Sequence, residues 1–248
     1  MRKIRLFIEK NDLKTGFLAK IDGADFEYLT KVMRVKIGDE ISVFNGFDGE
    51  FSASIIEIAK KYLIAELVKK TAEQEASSHI TLAFAPVKNV RIDFVAAKAT
   101  EMGVSSFLPI ITQHCVVDKI NEERFRANIK EACEQCETNF IPQILATTKL
   151  EKLFSDEKLK DKILILCDES GLGQKASEIL PKIAKNRQKN QEIVIFIGPE
   201  GGFSKDEFEK FRKIENLYSL SLGKRILRSD TAIISALALV GEFFGYTE

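Results

Sequence analysis

Two glycine-bearing segments hold residue types that could do chemistry. The first, Gly198-Pro199-Glu200-Gly201-Gly202, follows the apolar run Ile193 to Ile197 and precedes a well-marked helix. The second runs from Gly223 through Lys224, Arg225, Ile226, Leu227, Arg228, Ser229 and Asp230 to Ala232. It follows the apolar run Tyr218 to Leu222 and leads into an apolar helix. Each segment closes a strand and opens a helix, which is where an α/β protein holds a ligand. Glycine lets backbone approach a ligand and permits positive φ, while Pro199 stiffens the turn and Glu200 is its one charge. A plain strand–helix turn accounts for one or two glycines, and less well for three beside a proline and an acid. Lys224, Arg225 and Arg228 precede a helix start, where cations oppose the helix dipole, so an anionic partner is expected there. The plainer reading is solvated surface charge.

Other chemistries find less support. The glycines match neither the dinucleotide fingerprint nor a P-loop. Cys133-x-x-Cys136 is half of a metal or redox motif, but there is no second CxxC. His79 and His114 lack ligand spacing, so no metal is expected and the cysteines read as core. With two histidines and no G-x-S-x-G, a serine or cysteine hydrolase is poorly supported. The 37 basic and 37 acidic residues balance, so an RNA partner would need cations gathered by the fold. Four cysteines without an extracellular framework point to a reducing compartment. The apolar run near Met1 is too short for a signal peptide, and none reaches membrane-spanning length. A soluble cytoplasmic protein with no membrane partner is expected.

The elements that must position these segments fall into two groups. Up to about residue 70 the chain reads as β-rich, with strands at Gly16–Ile21, Glu40–Phe44, Phe51–Ile56 and Tyr62–Val68 and a hairpin signal at Asn45-Gly46. Asp25 to Val35 has helical spacing, with Asp25 as its cap. This part holds 13 Lys and Arg against 11 Asp and Glu, a surplus of two, and a half-open barrel of this size suits RNA, stability or dimerisation about equally. The polar stretch Thr71 to Ser78 reads as a linker. From Ile80 strands alternate with helices, predicting a mainly parallel sheet. Strands are expected at Ile80–Ala85, Ser106–Ile111 and Lys162–Cys167. A helix capped by Asn121 and another from Gln174 to Lys185, interrupted at Pro181, are expected between strands. Ser204 and Glu207 form a capping box, with Phe203 and Phe208 as a hydrophobic staple. The last helix, about Ser229 to Phe244, is apolar nearly all round and so is buried in the core or in a subunit interface, with a dimer favoured.

Gly198-Pro-Glu-Gly-Gly-Phe-Ser204 together with Leu222-Gly-Lys-Arg-Ile-Leu-Arg-Ser-Asp-Thr-Ala232 resembles the RsmE family of 16S rRNA uridine-N3 methyltransferases, within the SPOUT superfamily. The likeness extends to Lys98-Ala-Thr-Glu-Met-Gly-Val104, Glu131-Ala-Cys-Glu-Gln135, Val32-Met-Arg-Val35 and Gly38-Asp-Glu40, and covers essentially the whole chain. It implies a PUA-like β-barrel RNA-binding domain over residues 1–71. It also implies an α/β SPOUT methyltransferase domain over 78–248, tied in a deep trefoil knot that binds S-adenosylmethionine (SAM) and works as a homodimer on the small ribosomal subunit. Periodicity could not predict a knot, which chain-connectivity rules disfavour.

By motif, the resemblance assigns the cofactor to Leu166, Ile197, Gly198, Pro199, Glu200, Gly201, Gly202, Leu220, Leu222, Gly223, Ile226, Leu227 and Arg228. It assigns RNA to Arg34, Lys88, Arg91, Lys98, Lys224 and Arg225. Arg228 is expected nearest the target base, with Glu200 or Asp230 as candidate proton acceptors. His114 stands where the family often has arginine, no arginine follows Glu134-Gln135, and Ser229-Asp-Thr231 replaces the family's Thr-Glu-Thr. The alternatives are another SPOUT reaction such as ribose 2′-O-methylation, a non-catalytic ribosome-assembly factor, and an NAD-dependent dehydrogenase.

Overall fold

The computed structural model describes residues 4–10, 12–86 and 90–244. Lys88 lies outside the described residues, as does the side chain of Arg91. The chain forms two compact units, Met1–Ala76 with Cys133–Ile141, and Ser77–Ala132 with Pro142–Glu248.

The first unit holds strands β1 (Arg5–Phe7), β2 (Leu18–Asp22), β3 (Glu40–Phe44), β4 (Glu50–Ile58) and β5 (Tyr62–Ala72), with helix α1 (Gly23–Glu27) after β2. Their order across one sheet is β1-β3-β4-β5-β2, parallel only where β1 meets β3. At the β3–β4 turn, Asn45 Oδ1 accepts from the Phe47 and Asp48 amides at 3.0 and 2.9 Å, so the hairpin signal has a direct physical cause. α1 begins two residues before Asp25. Asp22 takes the cap position without a side-chain bond, and Asp25 falls in the first turn, where the dipole favours an acid equally. The helix continues as one π-helical stretch, Tyr28–Val32, and buries Phe26 and Leu29.

Arg5 organises this unit. Its side chain is buried against the Phe44 ring, with the guanidinium carbon 4.6 Å from the ring centroid. Nη2 donates to Glu50 Oε2 at 2.7 Å and to the Thr138 carbonyl at 3.0 Å, and Nη1 donates to the Cys133 carbonyl at 2.6 Å. A one-sided deletion would leave a charge in the core. Glu50→Gln should therefore lower the unfolding free energy by about 3 kcal/mol, while the double change Arg5→Met with Glu50→Leu should lose less. Urea unfolding midpoints check both.

The second unit runs β6 (Ile80–Phe84), α2 (Val90–Glu101), β7 (Ser106–Ile111), α3 (Glu122–Cys136), β8 (Gln143–Ile144), β9 (Thr148–Lys149) and α4 (Leu150–Leu153). It continues β10 (Ile163–Cys167), β11 (Gln174–Lys175), α5 (Ala176–Asn186), β12 (Ile193–Ile197), α6 (Lys205–Phe211), β13 (Leu217–Ser221) and α7 (Ser229–Phe244). The last turn of α3 clusters with the first unit. Asn121 does cap α3, its Oδ1 accepting from the Arg124 amide at 3.0 Å. α5 runs through Pro181 without a break, so the expected interruption does not occur. Its buried face of Ile179, Leu180 and Ile183 holds the helix against the loss of one backbone donor.

Every strand pair in this unit is parallel, and the order is β11-β13-β10-β12-β6-β7-β8, with β9 beside β7. Both faces of the central strands are covered, which is why they read as unbroken apolar runs. On one face Val194 and Phe196 pack with Phe203 and Phe211. The alternate residues Ile193, Ile195 and Ile197 are also buried and point to the other face, where α7 packs on β12. β10 lies between β12 and β13 although it precedes both, so the chain crosses it twice. The carboxyl ends of these three neighbours meet at a switch in strand order, the place where open α/β sheets bind ligands.

Candidate functional site

At that edge lies a cavity with roughly 780 Å³ of empty space, counting its open mouth. Three loops form its wall. Cys167, Asp168, Glu169 and Gly171 follow β10. Ile197, Gly198, Pro199 and Phe203 follow β12. Leu222 to Leu227, with Ser229 and Ala232 of α7, follow β13.

The turn after β12 has a fixed exit. Ser204 and Glu207 make the expected capping box, with Glu207 Oε2 accepting from the Ser204 amide at 2.7 Å and Ser204 Oγ from the Glu207 amide at 3.2 Å. The Phe203 and Phe208 rings meet edge-on with centroids 5.9 Å apart, so the staple is also present. Glu207 reaches further, since its Oε1 accepts the Gln113 amide at 2.8 Å and binds the loop after β7 to the start of α6. On that loop His114 Nδ1 lies 2.9 and 3.2 Å from the carbonyl oxygens of Gly201 and Gly202. Carbonyls only accept, so Nδ1 carries the hydrogen.

These contacts revise the reason for the glycines. A Cβ on Gly198 would lie 3.1 Å from Phe203 Cε2, and one on Gly201 would lie 3.2 Å from His114 Cβ. Gly202 sits at φ +67°, and a Cβ there would fall 1.6 Å from Glu169 Oε1. Each of these glycines makes room for a neighbouring side chain, and Gly201 and Gly202 are not among the described residues that line the cavity.

Of the expected cofactor residues, Ile197, Gly198, Pro199, Leu222, Gly223, Ile226 and Leu227 line the cavity. Leu166 and Leu220 are buried strand residues beneath it. Glu200 and Arg228 are exposed and lie off the wall, and the Arg228 carbonyl accepts from the Ala232 amide at the start of α7. Asp230 is off the wall too, its Oδ1 accepting from the Thr231 amide at 2.7 Å. Ser229 is the first residue of α7. Its Oγ is buried in the cavity wall and has no hydrogen-bond partner among the described residues. Lys224 and Arg225, expected at RNA, line the cavity mouth, whereas Lys98 is ion-paired with Glu101 at 2.7 Å within α2.

Sequence reasoning passed over Asp168, Glu169 and Phe203. The signal was present, for Asp168-Glu169-Ser170-Gly171 closes a buried strand as the other two loops do. Burial and the neighbouring Asp168 carboxylate push Glu169 above the ordinary carboxylate value, and His114 opposes the shift. Burial, with Asp168 behind it, pushes the Cys167 thiol well up, so it stays neutral and is no nucleophile near neutral pH. Among the described residues no cluster of three or more His, Cys, Asp or Glu could hold a metal ion. No described helix is long and apolar enough to cross a membrane.

A parallel α/β unit with its cavity at a switch in strand order belongs to the cofactor- and nucleotide-binding class. The RNA methyltransferase domain family matches residues 74–241, and the RNA methyltransferase PUA domain family matches residues 21–68. Ribosomal RNA small subunit methyltransferase E of Rickettsia conorii is 31% identical over 240 residues, 97% of this chain and 96% of that protein. A methyltransferase of Legionella pneumophila, solved with SAM bound, is 29% identical with a TM-score of 0.83 and 98% coverage of both chains. The small subunit methyltransferase E of Neisseria gonorrhoeae, also solved with SAM, is 26% identical with a TM-score of 0.83, covering 97% of this chain and 98% of that one. The chain belongs to the ribosomal RNA small subunit methyltransferase E family and is an RNA methyltransferase.

Gly202→Ala should destabilise the protein by about 1–2 kcal/mol from its left-handed backbone alone. It should also displace the Glu169 carboxylate. Chemical denaturation checks the first effect, and a lowered rate of methyl transfer the second.

Proposed function

We propose that the chain transfers the methyl group of SAM to N3 of a specific uridine in 16S rRNA of the small ribosomal subunit. The observation that carries the cofactor reading is Ser229 Oγ, a buried hydroxyl in the cavity wall that lacks a partner among the described residues. Such a group is costly unless a ligand satisfies it. The rest of the wall fits the same molecule. Ile197, Phe203, Leu222 and Leu227 offer apolar surface for a purine, Asp168 suits a cationic amino group, and Lys224 and Arg225 suit a carboxylate. When bound, SAM supplies an already activated methyl group.

The protein's own task is then to align the base and manage one proton. Holding uridine N3 in line with the methyl carbon is catalysis by proximity. The uridine must leave its stack to reach the cavity mouth. Arg228, exposed and next in sequence to the wall residues Leu227 and Ser229, would stabilise charge developing on a uracil oxygen. Exposed Tyr28, Val32 and Met33 beside Arg34 give the first unit a mixed apolar and cationic face that suits RNA. We assign RNA binding to residues 1–71, folded as a PUA-like barrel, and methyl transfer to 78–248. The two crossings over β10 support a trefoil-knotted path for the second part. α7 leaves Ile234, Leu239 and Phe243 half-buried, which supports a homodimer through this helix, working in the cytoplasm.

Small subunits from a strain lacking the enzyme, incubated with methyl-labelled SAM and digested to nucleosides, should yield 3-methyluridine. Label on a ribose oxygen would overturn the N3 reading. Arg228→Ala should lower the methylation rate by about 10²–10³ while calorimetry finds SAM affinity little changed.

A further inference from the structure

The proposed reaction needs a proton acceptor, and the two carboxylates suggested by sequence stand off the cavity wall. We propose that Glu169 takes the N3 proton of the target uridine, an inference that rests on the uridine-N3 reading above. Two carboxylates line the cavity. Asp168 is buried and its Oδ1 accepts the Ser170 amide at 2.7 Å, closing the turn after β10. Glu169 accepts no hydrogen bond from any described residue, is exposed, lines the cavity and has its carboxyl end over Gly202. Gly202 has no Cβ and leaves that place for the carboxylate, so the glycine turn that frames the cavity also seats the acid. Cys167, the one thiol on the wall among the described residues, is held neutral by burial and offers no competing base.

The surroundings favour proton uptake. Burial and Asp168 raise the proton affinity of Glu169, which makes it a stronger base than a free carboxylate. The titratable groups that act on it are Asp168 on its own loop and His114 on the loop after β7, and Lys224 and Arg225 on the loop after β13 line the same cavity. In the step, the N3–H bond breaks and its proton passes to a Glu169 oxygen. The N3 electron pair forms the bond to the methyl carbon, and the carbon–sulfur bond breaks with its electrons going to sulfur. Uracil anion and sulfonium thus become 3-methyluridine and a neutral thioether, and Glu169 later loses its proton to water.

The test compares wild type and Glu169→Gln in single-turnover methylation of unmethylated small subunits across pH, with SAM binding measured by calorimetry. Glu169→Gln removes no hydrogen bond seen in the fold, and circular dichroism checks that the variant is folded. The expected result is SAM affinity within about threefold of wild type and a rate at neutral pH lower by about 10² or more. The residual rate should rise in proportion to hydroxide, because only pre-ionised uridine then reacts, whereas the wild-type rate levels off. A Glu169→Gln rate within about threefold of wild type would overturn the proposal, as would loss of SAM binding, which would make Glu169 a cofactor contact instead. Wild-type enzyme that bound no SAM, or formed no 3-methyluridine, would overturn the parent reading itself.

Discussion

The site depends on one buried carboxylate. Glu207 accepts the Ser204 amide with one oxygen and the Gln113 amide with the other, at 2.7 and 2.8 Å. An acid in this position is costly unless its oxygens are satisfied, and here both are, beside the positive end of α6. The capping box starts the helix, and the second bond draws in the loop after β7. His114 then reaches the carbonyls of Gly201 and Gly202 from that loop. A local helix signal thereby becomes a tertiary clamp, and the glycine turn is held from both sides before any ligand arrives. Such preorganisation matters when the chemistry consists mainly of alignment.

The same clamp explains why three glycines stand so close together. Gly198 carries the Phe203 ring, Gly201 the His114 side chain, and Gly202 the Glu169 carboxylate with a left-handed backbone. Phe203 also meets Phe211, with ring centroids 5.1 Å apart, and Phe211 meets Phe196 of β12 at 5.3 Å. The turn is thus stapled to the strand that leads into it. Its function comes from compactness, and the cavity wall is made by the edges Gly198–Pro199 and the ring of Phe203.

How much of this was legible follows from what each feature is made of. Buried strands and helix caps are written in neighbouring residues, so β3, β7 and β12, the Asn121 cap and the Ser204–Glu207 box could be read directly. Glycine-bearing loops that close a strand and open a helix could also be found, which is why the segments Gly198–Gly202 and Gly223–Ala232 were expected at a ligand. Glu200 and Asp230 were chosen as acids because they lie near the glycines in sequence. Position along the chain is a poor guide here, since β10 comes between β12 and β13 and brings Asp168 and Glu169 to the wall from some thirty residues away. The joining of Cys133–Ile141 to the first unit was hidden for the same reason. It rests on Arg5 donating to the Cys133 and Thr138 carbonyls, bonds that no periodicity records.

The strand order also accounts for the charge pattern of the site. Of the charged wall residues, the loop after β10 contributes acids and the loop after β13 contributes cations. A ligand spanning the cavity meets opposite potentials at its two sides, so a molecule with separated positive and negative groups is oriented, whereas a simple anion or cation is attracted to one side alone. Lys224 and Arg225 are exposed as well as lining the mouth, so they can also meet a phosphate backbone outside it. The cations placed against the helix dipole therefore need not be accounted for by α7 at all. Asp230 supplies the acid its first turn favours, and the exposed basic residues at the mouth remain open to an anionic group.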